Sequence, residues 1–229
     1  MEREKAVNQN RHGDYAKAWI IGAGKFGRRA VAALQKHGAS EITVVDRHLP
    51  PGLPDSVETF ENDGLHWLSN RLTANGVEED TLIIPALPLH LAAEWLALHL
   101  QEYGLPLSRP PLAETFLENL PNALRLSASS AALSHATFLC PPNCCEPQKT
   151  CTATGRPRPR PLYRLLKEET VEHYRPLIIR SRQIAAGVGG FRAAELWRIY
   201  RLALSFTGSP LLIGTACKCH GIIDSLTID

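Results

Sequence analysis

Apolar positions along this chain follow two rhythms, and their alternation predicts the elements. A short apolar run, Ala18 to Ile21, leads into Gly22-Ala-Gly24-Lys-Phe-Gly27. Helical spacing then holds over 25–37, and a second apolar run closes at Asp46. A polar, proline-rich loop follows to Asp55, and a helix over 56–73 carries Phe60, Leu65, Trp67 and Leu68. Thr81–Ile84 reads as a strand, and 88–102 as a helix with Leu91, Trp95 and Leu98 on one face. From 105 to 121 prolines and leucines predict an irregular connection with one short helix, then short strands at 123–127 and 136–139. Residues 140–162, with four cysteines and six prolines, read as an irregular loop. Such a loop is too long to stay ordered in a compact domain unless something ties it down. Leu177–Arg180 predicts a strand running into a second glycine turn, Gly187-Val-Gly-Gly190. A helix over 191–206 presents Leu196, Ile199, Leu202 and Phe206, and Leu211–Thr215 is the last clear strand. There is no internal repeat.

Strands alternating with helices imply the α/β class. The expected architecture is a Rossmann-like parallel sheet with helices on both faces, extended by a cysteine-rich α/β C-terminal half. A single continuous sheet is favoured over a Rossmann half with a smaller α/β partner. The expected divisions are a disordered lead at 1–16, a dinucleotide-binding unit at 17–105 and the cysteine-rich half at 106–229.

The stretch from Lys17 to Arg47 has the order strand, glycine turn, helix, strand, acid, as in a dinucleotide-binding βαβ unit. Gly22 permits the tight turn, Gly24 lets the backbone approach a pyrophosphate, and Gly27 lets the helix lie close on the strand. Backbone N–H groups opening that helix, at Lys25 and Phe26, are placed to hold phosphate oxygens. Asp46, nineteen residues after Gly27, is placed to accept hydrogen bonds from ribose hydroxyls. Its carboxylate favours the free 2′-hydroxyl of NAD(H), whereas Arg47 is compatible with the 2′-phosphate of NADP. An FAD, AMP-containing or S-adenosylmethionine ligand, or a βαβ unit that binds nothing, fits the same pattern.

The segments IIGAGKFGRR and VVDR, and more loosely GVEEDTLIIPAL, resemble the TrkA-type NAD-binding domain of potassium-transport regulators, the RCK family. The resemblance covers about the first hundred residues. It implies a cytosolic nucleotide sensor with Gly22, Gly24, Gly27 and Asp46 as ligand contacts, and a role through a membrane or protein partner. The chain departs from that pattern after Ala86, in PALPLHLAAEW, and its cysteine-rich second half is unlike the usual effector domain.

At 229 residues the chain has ample core for a large α/β domain or two small ones. A formal net charge of +2 gives no reason to expect a nucleic-acid surface, although basic residues cluster at Arg156, Arg158 and Arg160. No apolar run approaches the ~20 residues that cross a bilayer, so no transmembrane segment is expected. The polar N-terminus carries no apolar signal core, and the expected location is the cytoplasm.

Cytosolic thiols stay reduced, so clustered cysteines point to metal or redox chemistry before disulfides. Cys140, Cys144, Cys145 and Cys151 share the long loop; Cys217 and Cys219 precede His220. Their spacings match no zinc ribbon or ferredoxin run. If Leu139 and Thr215 end parallel strands, both groups emerge at the carboxyl edge, beside the glycine turn. Thiolates suit zinc or an iron–sulfur cluster. The expected ligands are Cys140, Cys144 and Cys151 with Cys217 or Cys219, and Cys145 is spare. Redox-active thiols and inert packing are the competing readings.

Three further groups are weighed. Arg180, Ser181 and Arg182 before the second glycine turn fit either an anion site or a turn that needs glycine. His90 and Glu94, at i and i+4, fit an acid–base pair but more often make a surface helix contact. The PRPRP run at 157–161 reads as a solvated segment. No motif supports a hydrolase or kinase, and no residue stands out as a general base. The expected function is therefore an NAD(H)-binding cytoplasmic protein with a cysteine-ligated metal centre, redox or redox-sensing, working with a redox partner protein and forming a homodimer. The alternatives are a nucleotide-sensing regulatory subunit, or an NAD-dependent oxidoreductase with incidental cysteines.

Overall fold

The structure is a computed structural model that describes residues 15–72, 79–141, 144, 146, 149–169 and 174–229. The expected lead at 1–16 lies almost wholly outside these residues, as does Cys145. The first elements are β1 (Lys17–Ile21), α1 (Lys25–Lys36), β2 (Glu41–Asp46), β3 (Glu58–Glu61), α2 (Gly64–Arg71), β4 (Leu82–Pro85) and α3 (Leu91–Glu102). Next come β5 (Leu107–Ser108), α4 (Glu114–Glu118), β6 (Leu124–Arg125), β7 (Ser130–Ser134) and α5 (Leu162–Glu169). The chain ends with β8 (Arg175–Arg180), β9 (Arg182–Ala185), β10 (Val188–Arg192), α6 (Ala194–Leu204), β11 (Leu211–Ala216) and β12 (His220–Ile228).

These strands form two mixed sheets, with orders β3-β2-β1-β4-β10-β9 and β6-β7-β12-β11-β8, and β5 pairs with β12. The single continuous sheet expected from sequence is thus corrected. In the first sheet β3, β2, β1 and β4 run parallel, β10 pairs antiparallel with β4, and β9 forms the far edge, antiparallel to β10. In the second, only β8 and β11 are parallel; β12 pairs antiparallel with β11 and with β7.

Alternation along the strands sorts their side chains into three cores. Ala18 and Ile20 face α1, with Ala30, Val31 and Leu34. Trp19 and Ile21 face the opposite way, into a core shared with α2, α3, α6 and the inward face of β8 and β11. The outer face of the second sheet packs on Phe116 and Leu117 of α4 and Leu162 and Leu166 of α5. Both sheets therefore sit on one middle layer of helices, and strands buried on both faces read as unbroken apolar runs. No described helix is long and apolar enough to cross a membrane.

Several expected boundaries are corrected. The helix expected over 56–73 divides into β3 and the shorter α2, because Asp63 caps α2 by accepting from the His66 N–H at 3.0 Å. The strand expected at 136–139 lies instead at 130–134, where small residues pair with β12. The glycine turn at 187–190 is part of an antiparallel hairpin, β9–β10, rather than a strand-to-helix turn. Gly187 supplies the positive φ (72°) that this tight turn needs.

Candidate functional site

The strand order changes direction at β1: β2 and β3 lie on one side of it and β4 on the other. In an open α/β sheet the crevice outside such a reversal, at the carboxyl ends of the strands, is where ligands bind. The turn from β1 to α1 lies at that point. Gly22 has φ +114°, and a Cβ there would stand 2.5 Å from the Ala86 carbonyl oxygen that follows β4. A Cβ at Gly27 would stand 1.9 Å from the Gly22 carbonyl oxygen, so only glycine lets α1 lie this close to the turn. At Gly24 an added Cβ meets nothing within 4 Å. Protein packing demands glycine at the first two positions and leaves open space at the third.

Asp46 reaches this turn. Its Oδ2 accepts from the Ala23 N–H at 2.6 Å and its Oδ1 from the His48 N–H at 3.1 Å. Arg47 points elsewhere: its guanidinium, Nε at 3.0 Å, donates to the Asp63 carboxylate at the start of α2. Lys25 and Phe26 open α1 and are exposed, and no acidic residue occupies its first turn. Beside the turn, Phe26, Ile84, Leu87, Pro88 and Val188 wall a cleft of about 440 Å³. That is within the size range of small-molecule sites. A second hollow of about 370 Å³ opens at the opposite edge, around Glu41, Glu58 and Arg71. The amino ends of parallel strands are not where such sheets bind ligands, which favours the first.

The two cysteine groups do meet, though not by the expected route. Cys140 follows a bend rather than a strand, and β7 before it runs antiparallel to β12. The Cys140 Sγ lies 3.6 Å from His220 Nε2. Arg158 reaches both groups, donating through Nη1 to Cys219 Sγ and through Nη2 to Cys144 Sγ at 3.8 Å. Cys217 Sγ accepts from the Cys219 N–H at 3.4 Å and the His220 N–H at 3.3 Å, within the turn joining β11 to β12. Glu146 ties the long loop to that turn: its Oε1 accepts from the Lys218 N–H at 2.7 Å and its carbonyl from Lys218 Nζ at 2.9 Å. Gln183 of β9 holds the loop from the other side, donating to the Cys144 carbonyl at 2.7 Å. These bonds supply the anchoring that a loop of this length requires.

The thiols differ electrostatically. Burial pushes Cys217 up to about 12, helped by the negative charge of Glu146. Burial also raises Cys140, and it raises Cys219 against the pull of Arg158. At Cys144 burial is outweighed by the Thr152 hydroxyl, the Glu146 backbone and Arg158, which lower it. Hydrogen bonds from Thr154 lower Cys151. Among the described residues no three cysteine, histidine, aspartate or glutamate side chains are set together to hold a metal ion. Thiols and an imidazole are the ligand types a soft metal takes. Two backbone N–H groups also point at Cys217 Sγ, but burial and Glu146 outweigh them and keep that thiol protonated.

Sequence reasoning missed one constellation. His90 is buried, not on a helix surface: its Nδ1 lies 2.6 Å from Asp224 Oδ2 and its Nε2 2.9 Å from Thr215 Oγ1. Glu94 pairs instead with Arg109, at 2.7 Å and 2.9 Å. The signal available in sequence was a polar Asp-Ser pair inside an apolar C-terminal run.

Residues 92–229, more than half of the chain, match the family described as "Uncharacterized protein, C-terminal domain". The chain belongs to that family. The matched stretch holds every cysteine, Thr215 and Asp224, whereas the glycine turn, Asp46 and His90 precede it. The chain is also similar to a protein of Archaeoglobus fulgidus, described as "Uncharacterized protein", at 28% identity over 227 residues. That match covers 90% of this chain and 97% of the relative, so it spans both sheets. No solved structure matches the chain.

Proposed function

We propose that the protein binds NAD(H) at the carboxyl edge of the first sheet and carries a thiolate-ligated metal centre on the second, in a redox or redox-sensing role. One observation carries the nucleotide reading: Asp46 is bonded to the glycine turn through Ala23, at the point where the parallel order β3-β2-β1-β4 reverses. A turn and acid so placed support a Rossmann-type reading. With Arg47 held by Asp63, the ribose side of the site presents a carboxylate, which favours NAD(H) over NADP.

Cys140, Cys144, Cys151, Cys217 and Cys219, with His220, would hold the metal. A bound iron–sulfur cluster would supply one-electron chemistry, and zinc would fasten the loop. The protein's own part is to bring the loop to the β11–β12 turn through Glu146 and Lys218, and to supply cationic balance through Arg158.

The test is twofold. Titration with NADH, followed by nucleotide fluorescence, should saturate, and Asp46→Ala should weaken binding by about 10-fold or more, the loss of a charge-assisted contact. Unchanged affinity in that variant counts against the site. Absorption and elemental analysis of protein purified without oxygen should then show iron with sulfide, or zinc. Metal-free protein that still binds NADH would remove the metal centre and favour a nucleotide-sensing subunit of the TrkA type.

A further inference from the structure

We infer that Cys144 and Cys219 are an oxidation-sensitive pair, bridged by Arg158, which hydrogen peroxide closes into a disulfide that fastens the 140–161 loop to the β11–β12 turn. The inference rests on the redox-sensing reading above and names its chemistry, a peroxide acting on two sulfurs. It requires no bound metal.

The two thiols come from segments far apart in the chain, and one side chain touches both. Arg158 donates through Nη1 to Cys219 Sγ and through Nη2 to Cys144 Sγ at 3.8 Å. One guanidinium thus holds the sulfur of the loop and the sulfur of the turn. The backbones are brought together independently, two residues from Cys144 and one from Cys219. There Glu146 Oε1 accepts from the Lys218 N–H at 2.7 Å, and the Glu146 carbonyl from Lys218 Nζ. Gln183 fixes Cys144 itself, donating to its carbonyl at 2.7 Å. The other described thiols are engaged elsewhere. Cys140 Sγ faces His220 Nε2 at 3.6 Å, and Cys217 Sγ accepts two N–H groups inside its own turn. Cys151 is bonded to Thr154.

The bridge has a chemical meaning. A neutral thiol is a weak acceptor, and a half-buried guanidinium aimed at weak acceptors is costly. Arg158 Nε is itself buried without a hydrogen-bond partner among the described residues. Such an arrangement is stabilised when a sulfur carries negative charge, as an attacking sulfur does. Cys144 has a second donor, the Thr152 hydroxyl at 3.1 Å, and its side chain is partly exposed. It is therefore the sulfur that meets the oxidant, and Cys219 is the one that resolves it.

The Cys144 sulfur attacks one peroxide oxygen. The S–O bond forms, the O–O bond breaks, and the thiol proton leaves with the second oxygen as water. Cys144 is then a sulfenic acid. The Cys219 sulfur attacks the Cys144 sulfur, the S–S bond forms, and the S–O bond breaks. The departing hydroxide takes the Cys219 proton and leaves as water. Two thiols have lost two electrons in total, and one peroxide has become two waters. Bonded sulfurs stand about 2.05 Å apart, so the pair converges and the guanidinium gives up its bridging position. The loop is then tied covalently to the turn beside the Glu146–Lys218 anchor. Both sulfurs are also among the proposed metal ligands, so the closed disulfide withdraws them from that role. A thiol reductant reverses the change.

The experiment uses the full chain, reduced, freed of reductant and treated with EDTA, with hydrogen peroxide as the probe. Remaining thiols are blocked with N-ethylmaleimide, and tryptic peptides are mapped by mass spectrometry without reduction. Cleavage after Lys218 leaves Cys219 as the one cysteine of the 219–229 peptide, and fragmentation of its partner separates Cys144 from Cys140 and Cys145. The expected result is a Cys144–Cys219 link that forms about 10-fold more slowly in Arg158→Gln and regains part of that loss in Arg158→Lys. In Cys219→Ser, dimedone should trap Cys144 as its sulfenic acid. If Arg158→Gln does not fold, the wild-type link and the trapped sulfenic acid still decide. A link from Cys219 to Cys140 or Cys145, no link at all, or a wild-type rate in Arg158→Gln overturns the inference. Elemental analysis before EDTA keeps the metal reading separate. Metal without a link leaves the metal centre standing and removes the pair, whereas a link in metal-free protein supports the pair and removes the metal centre.

Discussion

Two substitutions within one turn should have opposite consequences, because packing demands glycine at one position and not at the other. At Gly27 an added methyl would stand 1.9 Å from the Gly22 carbonyl oxygen and 2.9 Å from its carbon. Both obstacles are backbone, so α1 must retreat from the turn by about 1 Å. That retreat disturbs Ala30, Val31 and Leu34, at most 3% exposed on the same helix. Overpacking of this kind costs about 1–3 kcal/mol, and loss of helix contacts adds to it. The better helix propensity of alanine returns about 1 kcal/mol. The net expectation for Gly27→Ala is a loss of about 1–2 kcal/mol. With a urea slope near ~3 kcal/mol/M, the midpoint falls by about 0.3–0.7 M at unchanged slope. Gly24 is the N-cap of α1, and a Cβ there meets nothing within 4 Å. Serine is a better N-cap than glycine by a few tenths of a kcal/mol, so Gly24→Ser should leave the midpoint unchanged or slightly raised. If NADH binds at this turn as proposed, the same side chain would intrude on its pyrophosphate and weaken binding about 10-fold or more, ~1.4 kcal/mol. Urea denaturation by circular dichroism and NADH titration by fluorescence measure both. Wild-type affinity in Gly24→Ser would show that no pyrophosphate lies over this turn, and a wild-type midpoint in Gly27→Ala would refute the close-approach argument.

Other expectations follow from the electrostatics and the loop anchors. Alkylation with iodoacetamide at neutral pH, mapped by mass spectrometry, should mark Cys144 and Cys151 first and Cys217 last, since the first two are lowered and Cys217 lies near 12. Equal labelling of Cys217 and Cys144 would contradict the burial of the former. The Asp63 carboxyl is held well below its usual range by the His66 N–H, against burial and with help from Arg47. A depressed folded-state pKa stabilises above the unfolded value of ~3.9 and is lost as pH falls toward the folded one. The difference between wild type and Asp63→Asn should therefore stay under about 1 kcal/mol at neutral pH, because Arg47 is exposed, and shrink below about pH 4. A difference that grows on acidification would invert the argument. Glu146→Gln keeps the shape of the anchor but weakens its grip on Lys218; limited proteolysis should cut the 140–161 loop faster, and wild-type resistance would argue against that anchor.

The first βαβ unit was legible because its signals are local. β2 ends at the terminal acid of its apolar run, and α1 matches the helical spacing after the glycine turn to within one residue. What sequence hid depends on distant partners. β12 was not read because Asp224 and Ser225 interrupt its apolar run, and their partners are His90, Ser129 and Pro110. β3 lies on a sheet edge and so carries mostly exposed residues in Glu-Thr-Phe-Glu, which leaves little strand signal. β7 is built of serines and alanines with one leucine, too small to show a period-2 contrast. Helix α5, Leu162–Glu169, starts at the last residue of the proline-rich stretch, and the sequence reading assigns no element to 163–169. The meeting place of the loop and the β11–β12 turn depends on Glu146, Lys218 and Arg158, none of which has a recognisable spacing.

The hairpin β9–β10 belongs by position to the cysteine half and by hydrogen bonding to the other sheet, where Phe191 and Arg192 pair with Ile83 and Leu82. The expected division at 105 and 106 is therefore not a seam. A fragment ending there would leave β4 as a bare, apolar edge, a template for aggregation. The complementary fragment would carry a two-stranded ribbon with no sheet to join. Neither half is a portable module, so gene fission, shuffling or recombination at this point leaves two pieces that need each other. Any lineage that keeps the cysteine half in this form must keep, in the same polypeptide, a parallel sheet for its hairpin to complete.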